Sequence, residues 1–332
     1  MMIISRTPLR VSFFGGGTDY PDFYLRSEGK VIGTAINKFV YVSLSKNGEF
    51  FDYKTRISYR VTELVNKKSD IKHPSVKACL DFLNVDEPLD INIFSDLPAK
   101  TGLGSSSAFT VGFLNALYAL KGKIVNPKQL AEEACHVEQK IIKENVGSQD
   151  QFHSSFGGFN EIVFNKDSIN VNPIPISNEK KNLLNCSWLM FYTGLTRFAD
   201  KILNEQISKT KSKVNDENLI RMLEIEEEAK RVISDTSNKE FLKELSSLLN
   251  KSWNLKRSLS SKVSNNKIDQ IYDLALKNGA LGGKLSGAGS GGFVSFLVPK
   301  TKQNRVRSAL SSLKEVNCQI YERGSSIIFI DK

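Results

Sequence analysis

The chain has 332 residues, 40% hydrophobic and 25% charged, the balance of a globular protein with room for about two domains. No apolar run approaches the roughly 18 residues that cross a bilayer, and the opening "MMIISRTPLRVSFF" is interrupted by Arg6 and Pro8, so neither a membrane span nor a signal peptide is expected. The net charge of +10 comes from scattered basic residues without interleaved aromatics, which points away from nucleic acid and toward an anionic small molecule.

Four cysteines, Cys79, Cys135, Cys186 and Cys318, lie far apart with no metal-ligand spacing, as in a reduced, cytoplasmic protein. In chain order, runs rich in Val, Ile, Phe and Tyr predict strands at residues 10–14, 30–36, 39–45, 57–62 and 89–95. Pro74 opens a helix reaching about residue 84. Phe109, Phe113, Ala116, Leu117 and Leu120 share one helical face. From Pro127, Leu130, Ala134, Val137 and Ile141 define a second. Strands follow at residues 161–164 and 169–174.

From about Cys186 a strand, "CSWLMFYTG", gives way to charged amphipathic helices over residues 198–279. The strand "FVSFLV", a helix from about Thr301 and strands at residues 318–321 and 327–330 complete the chain. Strands and helices without strict alternation predict an α+β protein. The change in pattern places a boundary near 180–185, giving domains of residues 1–183 and 184–332.

Three glycine-rich turns stand out. "TGLGSSSA", residues 101–108, precedes a helix, whose N-terminus offers unpaired N–H groups and the positive end of its dipole. Small residues let a phosphate approach such a backbone, although a Ser-capped helix after a flexible turn has the same letters. "RVSFFGGGTDY", residues 10–20, leaves room for a ligand beside Asp19, which is equally suited to cap a helix starting at Pro21. "GGKLSGAGSGGF", residues 282–293, is the third. No Walker A loop and no protein-kinase HRD or DFG motif is present. In "ENVGSQDQF", Asp150 follows a turn and opens a short helix, where a carboxylate can accept a proton from a hydroxyl. Glu138 flanks an apolar stripe, as a partly desolvated carboxylate needing a counter-ion or as one half of a rim salt bridge.

The three turns, in this order, resemble the motifs of the GHMP kinases, the superfamily of galactokinase, homoserine kinase, mevalonate kinase and phosphomevalonate kinase. "PAKTGLGSSSA" is similar to the family's phosphate loop and "KLSGAGSGG" to its C-terminal glycine motif. The turn at residues 10–20 resembles the galactokinase pattern at Arg10, Gly15, Thr18, Asp19 and Tyr20, but has Gly16 and Gly17 where galactokinase has Glu-His. "GGGTDYPDFY", "ENVGSQDQF", "GGFN" and "YTGLTRFADKIL" together resemble the bacterial D-glycero-D-manno-heptose 7-phosphate kinases, over nearly the whole chain.

The resemblance implies a GHMP kinase fold: an N-terminal domain with a left-handed β-α-β crossover and a ferredoxin-like C-terminal domain. It implies ATP as phosphoryl donor, held by Lys100, Gly102, Leu103, Gly104, Ser105, Ser106, Ser107 and Ala108. It implies Mg2+ on Ser106 and Glu138, with oxygen ligands that suit this hard ion. Asp150 and Arg10 match catalytic positions. Gly16, Gly17, Thr18, Asp19, Arg197, Gly287, Ala288 and Gly289 are the implied substrate contacts, Arg197 and Lys201 standing four apart as a candidate phosphate clamp. Arg6 and Lys30 are further clamp candidates.

The implied reaction is phosphorylation of the anomeric hydroxyl of a heptose 7-phosphate to the 1,7-bisphosphate. A fucose- or galactose-type sugar 1-kinase and a catalytically silent sugar or nucleotide sensor are the alternatives. The expected partners are sugar phosphate and ATP, without nucleic acid or membrane, in a monomer or homodimer. His73, His136 and His153 read as structural, Trp188 and Trp253 as core or interface aromatics. The Lys/Glu-rich helices over residues 215–262 read as solvated faces.

Overall fold

The computed structural model describes residues 1–48, 50–195 and 199–331, excluding the side chains of residues 199–203. Strand β1 (Met2–Phe14) leads into the short helix α1 (Pro21–Tyr24), and β2 (Gly29–Lys46) returns antiparallel to β1 from Phe14↔Ile32 to Met2↔Ser45. The short apolar runs expected at residues 10–14, 30–36 and 39–45 are pieces of these two long strands. Register shifts at Pro8/Leu9 and Ser12/Phe14 break the alternation that would have joined them.

The strand expected over residues 57–62 is a hairpin of β3 (Thr55–Ser58) and β4 (Thr62–Val65). Helix α2 (Pro74–Phe82), capped by the His73 imidazole, precedes β5 (Leu89–Ser95). Next come α3 (Ser105–Leu120) and α4 (Pro127–His136), then a π-helical turn, Val137–Ile141. Helix α5 (Gln149–Phe156), β6 (Phe159–Phe164) and β7 (Ile169–Pro173) complete this half.

Helix α6 (Asn178–Ser187) takes up Cys186, so the expected strand there begins later, as β8 (Trp188–Tyr192). Four helices follow: α7 (Ala199–Lys211), α8 (Asp216–Asp235), α9 (Asn238–Ser258) and α10 (Asn266–Lys277). The chain ends with β9 (Gly282–Leu285), β10 (Phe293–Leu297), α11 (Gln303–Ala309), β11 (Lys314–Val316) and β12 (Ser326–Asp331). The strand expected at residues 318–321 is a single bridge, Ile36↔Ile320.

Two sheets result. The larger has eight strands in the order β12-β1-β2-β5-β3-β4, with β6 on the N-terminal part of β2 and β7 beside β6. The last strand thus returns to the first. The smaller sheet, β11-β8-β10-β9, is antiparallel. One face of it is covered by α10 and α11 around Trp253, Ile268, Tyr272 and Val306. Its other face shares a core with the larger sheet, where Phe13 packs on Trp188 and Phe159 with ring centroids 5.2 and 5.8 Å apart. Among the described residues no helix is long and apolar enough to cross a membrane.

Helix α3 is buried on nearly all sides and lies directly on β1. A side chain at Gly112 would come within 2.5 Å of Thr7 Oγ1, and Ser5 Oγ donates to the Gly112 carbonyl at 2.8 Å. This close approach holds the middle of α3 against residues 5–7 of β1, and the Arg10 N–H meets the Leu103 carbonyl just before the helix begins.

Candidate active site

The cleft opens where the two sheets meet. The first sheet and its turns supply Arg10, Ser12, Gly16, Gly17, Asp19, Gln149 and Asp150; the second half supplies Gln206, Lys256, Lys284, Gly287 and Ala288.

Its anchor is the Arg10–Asp150 pair. Arg10 Nε and Nη2 each donate to one carboxylate oxygen of Asp150 at 2.7 Å, the planar fork matching both oxygens. Arg10 Nη1 donates to the Gly102 carbonyl at 2.6 Å, and its backbone N–H to the Leu103 carbonyl at 3.0 Å. One arginine thus ties the glycine loop before α3 to the acid opening α5. Arg10 is buried, whereas the Asp150 side chain keeps 24% exposure, enough to meet a ligand.

Gly104 occupies the N-cap of α3 at φ 73°, with no side chain capping the helix. The Ser-capped reading of the turn therefore does not hold, because glycine fills the capping position and leaves the first amides to other acceptors. Around it Leu103 and Ala108 are buried, Ser106 and Lys100 exposed. The first and third glycine motifs meet: a side chain at Gly102 would lie 2.4 Å from the Ser286 carbonyl, and one at Gly292 2.1 Å from that of Thr101.

Glu138, on the π-helical turn, is fully buried. Its Oε2 accepts from Ser107 Oγ at 2.9 Å and from Gln151, while Oε1 has no hydrogen-bond partner. Burial raises its pKa to about 7, partly offset by the hydroxyls of Thr110 and Ser107. The hydroxyl that touches Glu138 is that of Ser107. The exposed Ser106 and the half-buried Ser105 stand on the same helical turn.

Asp19 is buried, accepting from the Gly17 N–H at 2.9 Å. Burial raises its pKa, the Gly17 N–H opposes this and the Asp150 charge adds to it. Gly147 makes Asp19 possible, since a Cβ there would sit 2.0 Å from Asp19 Oδ2. The Thr18 hydroxyl is committed to the Gly15 and Lys30 carbonyls, and Gly289 packs on Val263; both stand behind the cleft wall, which Gly16, Gly17, Gly287 and Ala288 line. Arg197 and the Lys201 side chain lie outside the described residues. Arg6 stacks on Phe39 and bonds Tyr321, Lys30 pairs with Glu227, and neither lines the cleft.

Sequence reasoning missed Lys284, Lys256, Gln206 and Gly147. Lys284 stood inside a quoted motif, and its position between two glycines and a leucine of a strand was the available signal. Lys256 belongs to a helix read as solvated, yet it is only 8% exposed and donates to the Gly287 carbonyl at 2.6 Å. Glu226 on α8 corrects the same reading, being fully buried because α8 lies against β2.

The fold and the converging glycine turns are those of a family. Residues 68–158 match the GHMP kinases N terminal domain and residues 236–315 the GHMP kinases C terminal domain. The chain is 32% identical, over 93% of both chains, to the D-glycero-alpha-D-manno-heptose 7-phosphate kinase of Campylobacter jejuni. It is 26% identical to the galactokinase of Pyrococcus furiosus over 93% of this chain and 92% of that one. A crystal structure of a D-glycero-D-manno-heptose 1-phosphate kinase from Bacteroides thetaiotaomicron superposes with a TM-score of 0.76 at 22% identity, covering 99% of this chain and 100% of that one. The chain belongs to the GHMP kinases and is an ATP-dependent carbohydrate kinase of that family.

Proposed function

We propose that the protein transfers the γ-phosphoryl group of ATP to the anomeric hydroxyl of D-glycero-D-manno-heptose 7-phosphate, giving the 1,7-bisphosphate. The observation that carries the reading is the Arg10 fork, which joins the glycine loop of α3 to Asp150. A phosphate held at the α3 N-terminus and a hydroxyl facing Asp150 are thereby brought to one place, and phosphoryl transfer depends mainly on such positioning and charge stabilisation. The substrate choice is supported by the heptose 7-phosphate kinase likeness along nearly all of both chains.

In this reading the amides of Gly102, Leu103, Gly104, Ser105, Ser106, Ser107 and Ala108 hold the ATP phosphates, with Lys100 at the loop's exposed edge. Asp150 orients the anomeric hydroxyl and takes its proton. Arg10 holds Asp150 in place, so the carboxylate points at the acceptor. Asp19, with Gly16 and Gly17 leaving room, accepts hydrogen bonds from sugar hydroxyls, and Gly287 and Ala288 close the other wall. The division near residue 183 puts the donor loop and Asp150 in one part, and Lys256, Lys284 and the third glycine turn in the other.

The residues fit a magnesium ion: Glu138 has a buried, unpartnered oxygen beside serine hydroxyls, an oxygen-only donor set. Glu138 would hold it with Ser106 or Ser107, and Mg2+ would supply charge neutralisation of the ATP phosphates.

Mass spectrometry of products from a panel of sugars and sugar phosphates with ATP and magnesium tests the proposal. The expected product is a heptose bisphosphate. Preferred phosphorylation of fucose or galactose, or ligand binding without any product, would replace it with another sugar kinase or a sensor.

A further inference from the structure

Lys284 is the least expected charge in the cleft. It is 2% exposed, on β9, beside Ser295 of β10, on the side of the sheet that faces β1. Its Nζ donates one hydrogen bond, to the Phe13 carbonyl at 2.7 Å, and forms no ion pair among the described residues. An ammonium has three donors, so two remain for a ligand. Its charged neighbours are mostly of its own sign: Arg10 from β1 and Lys256 from α9. The carboxylates lining the same cleft are Asp150, already bound by Arg10, and Asp19, buried and bonded to the Gly17 N–H.

Burial, then Lys256 and Arg10, push the Lys284 pKa well below its ordinary value. A buried ammonium without a counter-ion is a cost to folding that methionine, of similar shape, would not impose. Such a group persists where a ligand completes it.

We infer that Lys284, together with Lys256, receives a phosphate dianion entering the cleft beside Asp150. Two sources carry that chemistry, the phosphate already on the acceptor sugar and the phosphoryl group leaving ATP. The dianion favours the charged form of Lys284, so protons are taken from solvent on binding at pH values between its pKa in the free and in the bound protein. The inference deepens the reading of the cleft as a sugar phosphate kinase site and rests on it for the first source only.

Calorimetry in buffers of differing ionisation enthalpy, repeated from about pH 7 to about pH 10, measures that uptake for ATP, inorganic phosphate and D-glycero-D-manno-heptose 7-phosphate, each added alone. The wild type takes up a proton with at least one of them, and Lys284→Met takes up none while melting at the same temperature or higher. In turnover, a roughly 100-fold rise in KM for the phosphorylated sugar, with an unphosphorylated sugar unaffected, assigns the acceptor's phosphate. A similar loss of kcat with every acceptor assigns the phosphoryl in flight. If the wild type ignores heptose 7-phosphate, the proposed substrate fails, while the ATP and phosphate arms still read Lys284. The inference is overturned if the wild type takes up no proton with any of the three, or if Lys284→Met binds and turns over as the wild type does. It is equally overturned if Lys284→Met loses activity only in proportion to a lowered melting temperature.

Discussion

Two charge clusters lie on either side of the turn at residues 15–18, and they are unbalanced in opposite directions. In the cleft, Arg10, Lys256 and Lys284 face Asp150 and Asp19. Behind the turn, the carboxylate oxygens of Glu161, Glu226 and Glu227 lie within 4.8 Å of one another, with Lys230 paired to Glu161 and Lys30 to Glu227. Neither carboxylate oxygen of Glu226 has a hydrogen-bond partner. Burial, then the charges of Glu161 and Glu227, raise its pKa to about 8. The rear cluster resolves its surplus with a proton on Glu226. The cleft keeps its surplus of basic side chains, as a site for an anionic substrate does.

The largest effect that sharpens this contrast is at Asp150. Asp150→Asn should lower kcat by about 10³-fold while ATP binding, followed by calorimetry, stays near wild type. Arg10→Met should follow at roughly 10²-fold, with a lower Tm as well, because it strands Asp150 and releases the Gly102 carbonyl. Gly147→Ala forces Asp19 aside and should raise the sugar KM by about 10-fold, with the KM for ATP unchanged.

The smallest effect falls in the rear cluster and concerns stability alone. Glu226 holds its proton up to about pH 8 in the fold, against an ordinary carboxyl value of 4.5. Below 4.5 both folded and unfolded chains carry the proton, and this contribution to stability is fully present. As pH rises from there the unfolded chain alone loses it, so stability falls until about pH 8 and then levels off. Glu226→Gln should therefore raise Tm by a few degrees above about pH 8 and leave it unchanged near pH 4. A thermal melt at both pH values checks this; equal shifts would mean a packing effect.

Much of the donor side was legible in the sequence, because glycines mark backbone needs directly. Gly102 and Gly104 stand where a side chain would strike Ser286 or strain the helix entry, and those constraints are local enough to read from letters. Glu138 and Asp150 stood out from their local setting and Arg10 came from motif resemblance; the structure adds the fork joining Arg10 to Asp150 across 140 residues. The acceptor side was less legible. Lys256 and Glu226 sit on helices whose many charges hide the few that turn inward, and only the packing of α8 and α9 on the sheets selects them. The destination of β12 was equally hidden, since its apolar letters predict a strand but not that it pairs with β1.

The most direct measurement is the ratio of kcat/KM for D-glycero-D-manno-heptose 7-phosphate to that for the same heptose without its phosphate, at fixed ATP and magnesium. A cleft with surplus cations predicts a preference of about 100-fold or more for the phosphorylated sugar. Equal values, or a preference for the unphosphorylated sugar, would contradict it.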